Sequence, residues 1–342
     1  MLNETELQGL HTNQRLLIIE LQNRGINVNS LVPEMELVEA EYHGHKEFIL
    51  DRDSSINPYP STVISGDKYL SKKLLAREGI SVVSGEQFDG IHQNEALVYA
   101  QKLNFPLVVK PVFGSHGHGV YMDLDNLCDV KDAIDKISGE YGSNKTYLVE
   151  EQFEGKEYRV FITQNGDYAV LHRDCAHIIG DGTKTIEQLA NQESENRMTE
   201  SDDPSFPRKN CLCPVQLDEV VNNYLARQQK DTNYVPPEGE KIYLRHNSNV
   251  AVGATCEDYT DIVHPSIIEI AKKALNAFPG LPYAGLDFLS KDITKPQTAD
   301  MYRLLEVNSI PGIHMHMRPG TGKSQNVAKY LVDMMFPETK YS

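Results

Sequence analysis

The sequence predicts a protein of the α/β or α+β class with two or three domains or subdomains. Helical periodicities alternate with short β-branched runs along the chain, and no internal repeat is visible. A length of 342 residues allows a substantial buried core, and a hydrophobic content of 40% is usual for a globular protein. The chain is therefore expected to fold around more than one core.

Periodicity and turn residues place the individual elements along the chain. Helices are predicted near residues 16–21, 67–77, 95–103, 265–277 and 326–335, and another begins at about residue 185. Strands are predicted at residues 82–83, 107–109, 119–122, 147–149, 284–289 and 302–307, with others from residue 158 onwards. The loop SSINPYPS at residues 54–61 predicts a boundary, and the polar segment 193–209 predicts a surface excursion.

Composition and charge exclude several classes of protein. The formal net charge of −16 opposes nonspecific binding to nucleic acid, whose phosphates need a basic surface. No apolar run approaches the roughly 20 residues of a membrane span, and the N-terminus lacks the pattern of a signal peptide. The five cysteines form neither a disulfide framework nor a complete zinc set. A cytoplasmic protein with reduced thiols and no nucleic-acid or membrane partner is therefore expected.

A lysine followed by a glycine-dense loop marks the segment FPLVVKPVFGSHGHGV at residues 105–120. The predicted unit is strand, loop, strand, whereas a Walker-type P-loop or a dinucleotide fingerprint needs a helix after the loop. Such a hairpin can close its amides over phosphates while the lysine adds a point charge. The candidate polyphosphate ligands are Lys110, Gly114, Ser115, His116, Gly117 and Gly119. A mobile hairpin with a surface lysine is the alternative.

Oxygen ligands converge on two predicted strands near the C-terminus. Glu306 and Asn308 lie two residues apart on one strand and so share a face, and Asp287 interrupts the apolar strand GLDFL. Two carboxylates and an amide suit Mg²⁺, which keeps waters and also binds substrate phosphates. The alternative is a hydrogen-bonded buried aspartate and a solvated pair at the strand edge.

An acidic turn and three arginines complete the set of candidates. The turn EEQFEGKE at residues 150–157 follows a strand and can present backbone groups to an adenine edge while a carboxylate accepts ribose hydroxyls. Arg159, Arg173 and Arg245 lie in or at the end of strand-like segments, so each is expected to pair with an anion or a carboxylate. A solvated turn and structural ion pairs are the alternatives.

Three motif-like segments do not meet their requirements. GTGKS at residues 320–324 lacks the leading glycine of a Walker A motif, because Met317 occupies that position. HRD at residues 172–174 lacks the asparagine of a kinase catalytic loop, since Ile179 stands in its place. His314 and His316 have no third nitrogen or thiolate nearby, which makes a poor zinc site.

In this order, these segments resemble the ATP-grasp superfamily of carboxylate-amine ligases over about residues 62–337. Within it the resemblance is closest to the ATP-grasp domain of cyanophycin synthetase and to the glutathione synthetase half of bifunctional glutathione biosynthesis enzymes. The segments that carry it are KPVFGSHGHG, VEEQFEGKEYRVF, HIIGDGTKTI, GEKIYLRHNSNVAVG and EVNSIPGIHMHMRPGTGKSQNVAKYLVDMMFP. The sequence departs from the family pattern at Cys175, where a proline is usual, and at Ala254, where a second glycine is usual.

The resemblance implies an ATP-grasp fold and a role for each matching residue. The implied parts are an N-terminal segment 1–61, a central lid subdomain 62–152 and a C-terminal subdomain 153–342, which grip ATP between them. The implied phosphate, adenine and ribose ligands are Lys68, Lys110, Glu150, Glu151, Phe153 and Glu157. The implied ligands of two Mg²⁺ ions, with Mn²⁺ as an alternative ion, are Asp287, Glu306 and Asn308. The candidate substrate ligands are Arg159, Arg173, Asn249, His314, His316 and Arg318.

The implied activity is ADP-forming ligation of an amino-acid or peptide carboxylate to an amine through an acyl phosphate. Arg245 and Lys110 are the implied catalytic residues, and small amino-acid or peptide substrates are the implied partners, with a homodimer as a family-based expectation. The sequence has no counterpart of the Mur-ligase-like domain or of the glutamate-cysteine ligase half, so neither cyanophycin polymerisation nor a self-sufficient glutathione pathway is expected. A non-catalytic nucleotide-binding regulatory module and a small-molecule kinase remain as alternatives.

Overall fold

The computed structural model describes residues 2–112, 119–142, 144–202, 206 and 208–340. Within these residues an N-terminal module, a central four-stranded sheet and a C-terminal five-stranded sheet follow one another along the chain. The glycine loop lies largely outside the described residues, so the roles predicted for Gly114, Ser115, His116 and Gly117 stay predictions.

The N-terminal module combines two helices with an antiparallel sheet. Its helices are α1 (Glu4–Gln8) and α2 (Thr12–Asn23), and its strands are β1 (Asn27–Val32), β2 (Leu37–Tyr42), β3 (His45–Leu50) and β4 (Asp53–Ser54). The strands pair in sequence order. Leu17, Ile18 and Leu21 of α2 are buried, because they lie on one face of the helix at a spacing of three to four residues.

The central region carries an antiparallel sheet in the order β5-β8-β6-β7. Its elements are α3 (Tyr59–Gly66), α4 (Lys68–Arg77), β5 (Gly85–Asp89), α5 (Gln93–Ala100), β6 (Leu107–Pro111), β7 (Tyr121–Leu124), α6 (Leu127–Tyr141) and β8 (Thr146–Glu151). The predicted strand at residues 82–83 was wrong, because Val82 forms only an isolated bridge with Leu304 of the C-terminal region. The predicted boundary loop 54–61 also ends earlier than expected, since α3 begins at Tyr59.

The C-terminal region is built on a five-stranded antiparallel sheet in the order β13-β10-β9-β14-β15. The strands of this sheet are β9 (Lys156–Thr163), β10 (Tyr168–Asp174), β13 (Thr255–Asp258), β14 (Tyr283–Ser290) and β15 (Tyr302–Asn308). A separate two-stranded pair is formed by β11 (His177–Ile179) and β12 (Lys241–Tyr243). The helices of the C-terminal region are α7 (Ile186–Arg197), α8 (Glu219–Arg227), α9 (Pro265–Asn276), α10 (His314–Met317) and α11 (Val327–Met335). The predicted excursion 193–209 therefore begins inside α7.

The five-stranded sheet has one apolar face and one mixed face, which positions the site. On the apolar face Val160, Leu286 and Phe288 belong to a core that includes residues of α4 and α9, and each buried side chain contributes roughly 1.5–3 kcal/mol. On the opposite face Phe161 and Tyr283 pack against the N-terminal module. Towards the other end of β9 and β14, the same face carries charged side chains in place of apolar ones.

Candidate functional site

A buried carboxylate lies between two lysines in the central sheet. Glu150 of β8 faces Val108 across the sheet, and Lys110 stands two residues further along β6 on the same face. Lys110 Nζ lies 2.9 Å from Glu150 Oε2, and Lys72 of α4 donates to Glu150 Oε1. We call Lys72, Glu150 and Lys110 the lysine triad. All three side chains are nearly inaccessible to solvent.

Burial and charge act against each other in the lysine triad. Burial lowers the pKa of Lys72 to about 8, because the attraction of Glu150 does not fully offset desolvation and Lys110 repels a second charge. For Lys110 burial also opposes the charge, but Glu150 outweighs it and the pKa is raised. The pKa of Glu150 is lowered, since the two lysines outweigh the burial of its carboxylate. Lys72 is thus the member that loses its proton most easily.

A second buried carboxylate lies between two arginines in the five-stranded sheet. Asp287 of β14 faces Arg159 of β9, and their atoms Oδ1 and Nε are 2.5 Å apart. Arg173 of β10 approaches Asp287 Oδ2 to 3.0 Å with Nη2, which also donates to Glu157. We call Arg159, Asp287 and Arg173 the arginine triad. The carboxylate partners expected for Arg159 and Arg173 are present.

The charges of the arginine triad support one another despite burial. Burial opposes ionisation of Asp287, but Arg159 and Arg173 outweigh it and the pKa of Asp287 is lowered. Burial likewise opposes the charge on Arg173, whose pKa is nevertheless raised because Asp287 and Glu157 attract it. Asp287 and Arg173 therefore stay ionised at neutral pH.

Glu306 connects the two triads. It is the register partner of Asp287, on the face shared with Asn308. Its negative charge helps to raise the pKa of both Lys110 and Arg173. Lys68 is the first residue of α4, whose N-terminus is capped by the Asp67 carboxylate. Its Nζ lies 3.7 Å from Glu306 Oε2. The predicted phosphate lysines and magnesium ligands therefore belong to one neighbourhood.

The donor set of this neighbourhood fits Mg²⁺ in its chemistry. Asp287, Glu306 and Asn308 offer hard oxygen atoms, although Asn308 Oδ1 also accepts the Ile310 N–H at 3.0 Å and both Asp287 oxygens contact arginines. Within the described ranges no group of three or more His, Cys, Asp and Glu side chains is arranged to hold a metal ion by itself. Phosphate oxygens and waters would have to complete the coordination, as is usual for Mg²⁺.

The segment between β8 and β9 runs against the end of β14. A Cβ on Gly155 would come within 3.1 Å of the Ser290 backbone, which explains why glycine occupies this position. The Phe153 ring lies 4.6 Å from the Arg303 guanidinium. The Glu151 carboxylate accepts from the backbone and side chain of Asn104, so it anchors the segment to the loop after α5.

A polar contact joins the central sheet to the C-terminal region near Arg245. Asp123 of β7 exchanges two hydrogen bonds with Gln152, at 2.8 and 2.6 Å, and lies 3.1 Å from His246 Nε2 through its other oxygen. Its backbone has a φ of 53°, a left-handed conformation that non-glycine residues rarely adopt. Burial lowers the pKa of His246, while Asp123 acts in the opposite direction. This contact links strand β7, the segment after β8 and the Arg245 loop.

Comparison with known proteins agrees with the predicted fold and family. Residues 65–177 match the family model of the RimK-like ATP-grasp domain. A crystal structure of a bifunctional glutathione synthetase from Pasteurella multocida aligns with a TM-score of 0.68 at 24% identity, over 96% of this chain and 44% of that one. The chain contains an ATP-grasp domain. The predicted fold and the predicted family resemblance are confirmed.

Curated relatives of this chain are considerably longer than the chain itself. Cyanophycin synthetase of Crocosphaera subtropica is 30% identical over 97% of this chain and 38% of its own length. The glutathione biosynthesis bifunctional protein GshAB of Streptococcus agalactiae serotype V is 29% identical over 97% of this chain and 44% of its own length. The chain thus spans about two-fifths of these relatives. None of its described helices combines the length and apolar character of a membrane span.

Arg245, the predicted catalytic arginine of the ATP-grasp domain, is buried beside the segment before α8. Its Nη2 donates to the Gln216 carbonyl at 3.1 Å and to Asp218 at 2.8 Å, so its expected carboxylate partner is Asp218. The contacts that the described residues show for Arg245 do not include Asp287 or Glu306. Asn249 caps the following turn, where its Oδ1 accepts the Ala251 N–H at 3.0 Å.

The remaining predicted substrate ligands lie where α10 meets the N-terminal module. Asn13 Oδ1 accepts from the backbone N–H groups of Ile313 and His314 at 2.8 and 2.9 Å, which fixes the start of α10. Burial lowers the pKa of His314 to about 4. His316 is fully buried, and neither ring nitrogen has a hydrogen-bond partner within the described part of the chain. Arg318 places its guanidinium 4.1 Å from the Phe206 ring.

Three residues of this candidate site were not predicted from the sequence: Lys72, Asp123 and His246. A signal existed for Lys72, because it lies four residues after Lys68 on a predicted helix and so shares its face. Asp123 and His246 carried no comparable signal, since their contact joins segments that are far apart in the chain.

Proposed function

We propose that this protein is an ATP-dependent, ADP-forming ligase that joins an amino-acid or peptide carboxylate to an amine through an acyl phosphate. The observation that supports this most directly is the position of Glu306 between the lysine and arginine triads. The site brings cations from two sheets next to oxygen ligands that suit Mg²⁺, a combination that stabilises phosphoryl transfer to a weak nucleophile such as a carboxylate.

The proposed nucleotide site is formed by both sheets. Lys68 and Lys110 bind phosphate oxygens, and the glycine loop with Gly114, Ser115, His116, Gly117 and Gly119 is proposed to close over them. The segment from Glu150 through Glu151 to Phe153 receives the adenine, and Glu157 accepts the ribose hydroxyls. Gly119 suits such a loop because its φ is 69° and a Cβ there would approach Pro111 to 2.9 Å.

Asp287, Glu306 and Asn308 are proposed to hold two Mg²⁺ ions, with Mn²⁺ as an alternative. When bound, the metal neutralises phosphate charge and orients the transferred group. The ion pairs of Asp287 with Arg159 and Arg173 keep its carboxylate ionised, as a metal ligand must be. The arginines then act as counter-charges that hold the carboxylate in place.

The side chains that act on the acyl group are proposed from their charge and position. Lys110 and Arg245 stabilise negative charge on the transferring phosphoryl group and on the tetrahedral oxyanion. Arg159, Arg173, Asn249, His314, His316 and Arg318 are the proposed substrate ligands. Because an acyl phosphate hydrolyses readily, the lid must exclude water until the amine attacks.

A phosphate-release screen over pairs of amino acids and dipeptides tests this proposal. The expected result is phosphate and ADP release that depends on both a carboxylate and an amine, with an amide product identified by mass. Production of AMP would contradict the ligase chemistry. A stable phosphorylated product without an amine requirement would indicate a kinase, and nucleotide binding without turnover over the whole panel would indicate a regulatory module.

The Arg245→Ala substitution tests the proposed catalytic arginine. Loss of one charge-stabilising donor is expected to lower kcat by about 10²- to 10³-fold while nucleotide affinity changes little. Asp218→Asn is the matched control, since it weakens the anchor of Arg245 but leaves the guanidinium in place. Wild-type turnover in a folded Arg245→Ala protein would rule out the role.

A further inference from the structure

Two buried cysteines from distant parts of the chain meet beside the five-stranded sheet. Cys211 and Cys256 are free thiols whose sulfur atoms lie 2.8 Å apart, and both side chains are almost fully buried. They share a small apolar cluster with Val250, Leu212 and Met315. A contact this close between sulfur atoms needs almost no further movement to become covalent, because a disulfide bond is about 2.05 Å long.

The backbones on both sides of this pair are held by hydrogen bonds. The Cys211 N–H donates to the Arg318 carbonyl at 2.8 Å, and the Gly320 N–H donates to the Cys256 carbonyl at 2.9 Å. The two cysteines are therefore kept opposite each other by one intervening segment, residues 318–320. Cys256 also faces Arg173 of the arginine triad across strands β13 and β10.

A cavity beside Cys211 is large enough to hold a small oxidant. Cys211 lines a cavity of about 160 Å³ together with His11, Phe206, Arg208, His314 and Arg318. A hydroperoxide such as hydrogen peroxide is little larger than water, whose share of liquid volume is about 30 Å³. The cavity can therefore hold the oxidant next to Cys211, the member of the pair that lines it.

We propose that Cys211 and Cys256 form a reversible disulfide on exposure to a hydroperoxide. This disulfide ties the loop of residues 208–213 to strand β13. The thiolate of one cysteine attacks one peroxide oxygen, so that an S–O bond forms as the O–O bond breaks. The sulfur becomes a sulfenic acid, and the departing hydroxide takes up a proton and leaves as water. The second cysteine attacks the sulfenic sulfur, so that an S–S bond forms as the S–O bond breaks, and the departing hydroxide leaves as a second water with the proton of that thiol. Two thiols and one hydrogen peroxide thus give one disulfide and two waters.

The cross-link has consequences for the cavity and for stability. The loop 208–213 carries Arg208, whose Nη1 donates to the Leu212 carbonyl at 2.7 Å, and Cys211 itself is part of the cavity wall. Oxidation would fix this wall to the sheet that carries the arginine triad. The disulfide would join two residues that are 45 positions apart in the sequence, so it would also restrict the unfolded chain. The oxidised protein is therefore expected to unfold at a higher temperature.

Peptide mapping of the full chain tests the proposal independently of any enzymatic activity. The protein is treated with hydrogen peroxide, freed of it, alkylated under denaturing conditions and digested. The expected product is a peptide pair linked through Cys211 and Cys256 that dithiothreitol separates, together with a rise in Tm of about 5 °C. Cys128, which is exposed on helix α6 of the central region, should oxidise without entering this pair.

Matched variants separate the disulfide from general oxidation. Cys128→Ser should keep both the linked peptide and the rise in Tm, whereas Cys211→Ala and Cys256→Ser should each lose both. Two variants are used so that a folding defect in one leaves the other informative. Full alkylation of Cys211 and Cys256 after peroxide treatment would overturn the proposal. A link between Cys211 and Cys213 in place of the Cys211–Cys256 link would also overturn it.

Discussion

The lysine triad and the arginine triad solve the same electrostatic problem with different cations. In each, one buried carboxylate lies between two positive side chains, so each triad carries one surplus positive charge. Lysine can release its proton when burial makes its charge costly, whereas arginine stays protonated at any ordinary pH. The lowered pKa of Lys72 and the raised pKa of Arg173 express this difference.

The difference indicates how each half of the site responds to its surroundings. The arginine triad forms a constant charge field around Asp287, next to the oxygen ligands proposed for Mg²⁺. The lysine triad can lose one charge at moderately alkaline pH, and an anionic ligand would favour its fully protonated form. We therefore expect the central sheet to be the pH-sensitive half of the site.

The largest expected effect follows from removing each carboxylate. Asp287→Asn removes the carboxylate that both buried arginines share and leaves Arg173 with Glu157, so the free energy of unfolding is expected to fall by about 3–5 kcal/mol. Glu150→Gln is expected to cost less, about 1–3 kcal/mol, because Lys72 can become neutral at about 1.4 kcal/mol per pKa unit. Urea denaturation without nucleotide or metal measures both values. Equal losses would remove the distinction between the triads.

A smaller effect is expected from pH. The folded pKa of Lys72, about 8, lies below the usual lysine pKa of 10.5, so between these values the unfolded chain binds more protons and stability rises with pH. Between pH 7 and 9 this contribution is about 1 kcal/mol. This pH-dependent contribution should be absent in Lys72→Met. It should be present in Arg173→Met, the matched control, which also removes one cation from a triad. Denaturation of the three proteins at several pH values provides the comparison.

The smallest effect is expected at the contact that joins the two halves. His246 and Asp123 are partly exposed, so their coupling should amount to about 0.2–1 kcal/mol. His246→Gln is expected to weaken the binding of a non-hydrolysable ATP analogue by no more than about fivefold. A double-mutant cycle with Asp123→Asn, followed by calorimetry, isolates the pair. Additive losses would show that the contact does not couple the two sheets.

Much of the fold was predictable because it depends on local patterns. The helix predicted at residues 67–77 is α4, and the strands predicted at residues 284–289 and 302–307 lie within β14 and β15. Alternation along a strand also placed Glu306 and Asn308 on one face. The prediction at residues 82–83 failed because two valines indicate a strand but do not indicate which sheet they join.

The pairing of charges could not be predicted in the same way. Lys72 and Glu150 are separated by 78 residues, and Asp287 and Arg159 by 128, so no local pattern relates them. The sequence identified the residue types, their periodicity and the order of the segments, because these depend on near neighbours. Strand order and register decided which carboxylate lies between which cations, because only folding brings distant side chains into a shared environment of low polarity.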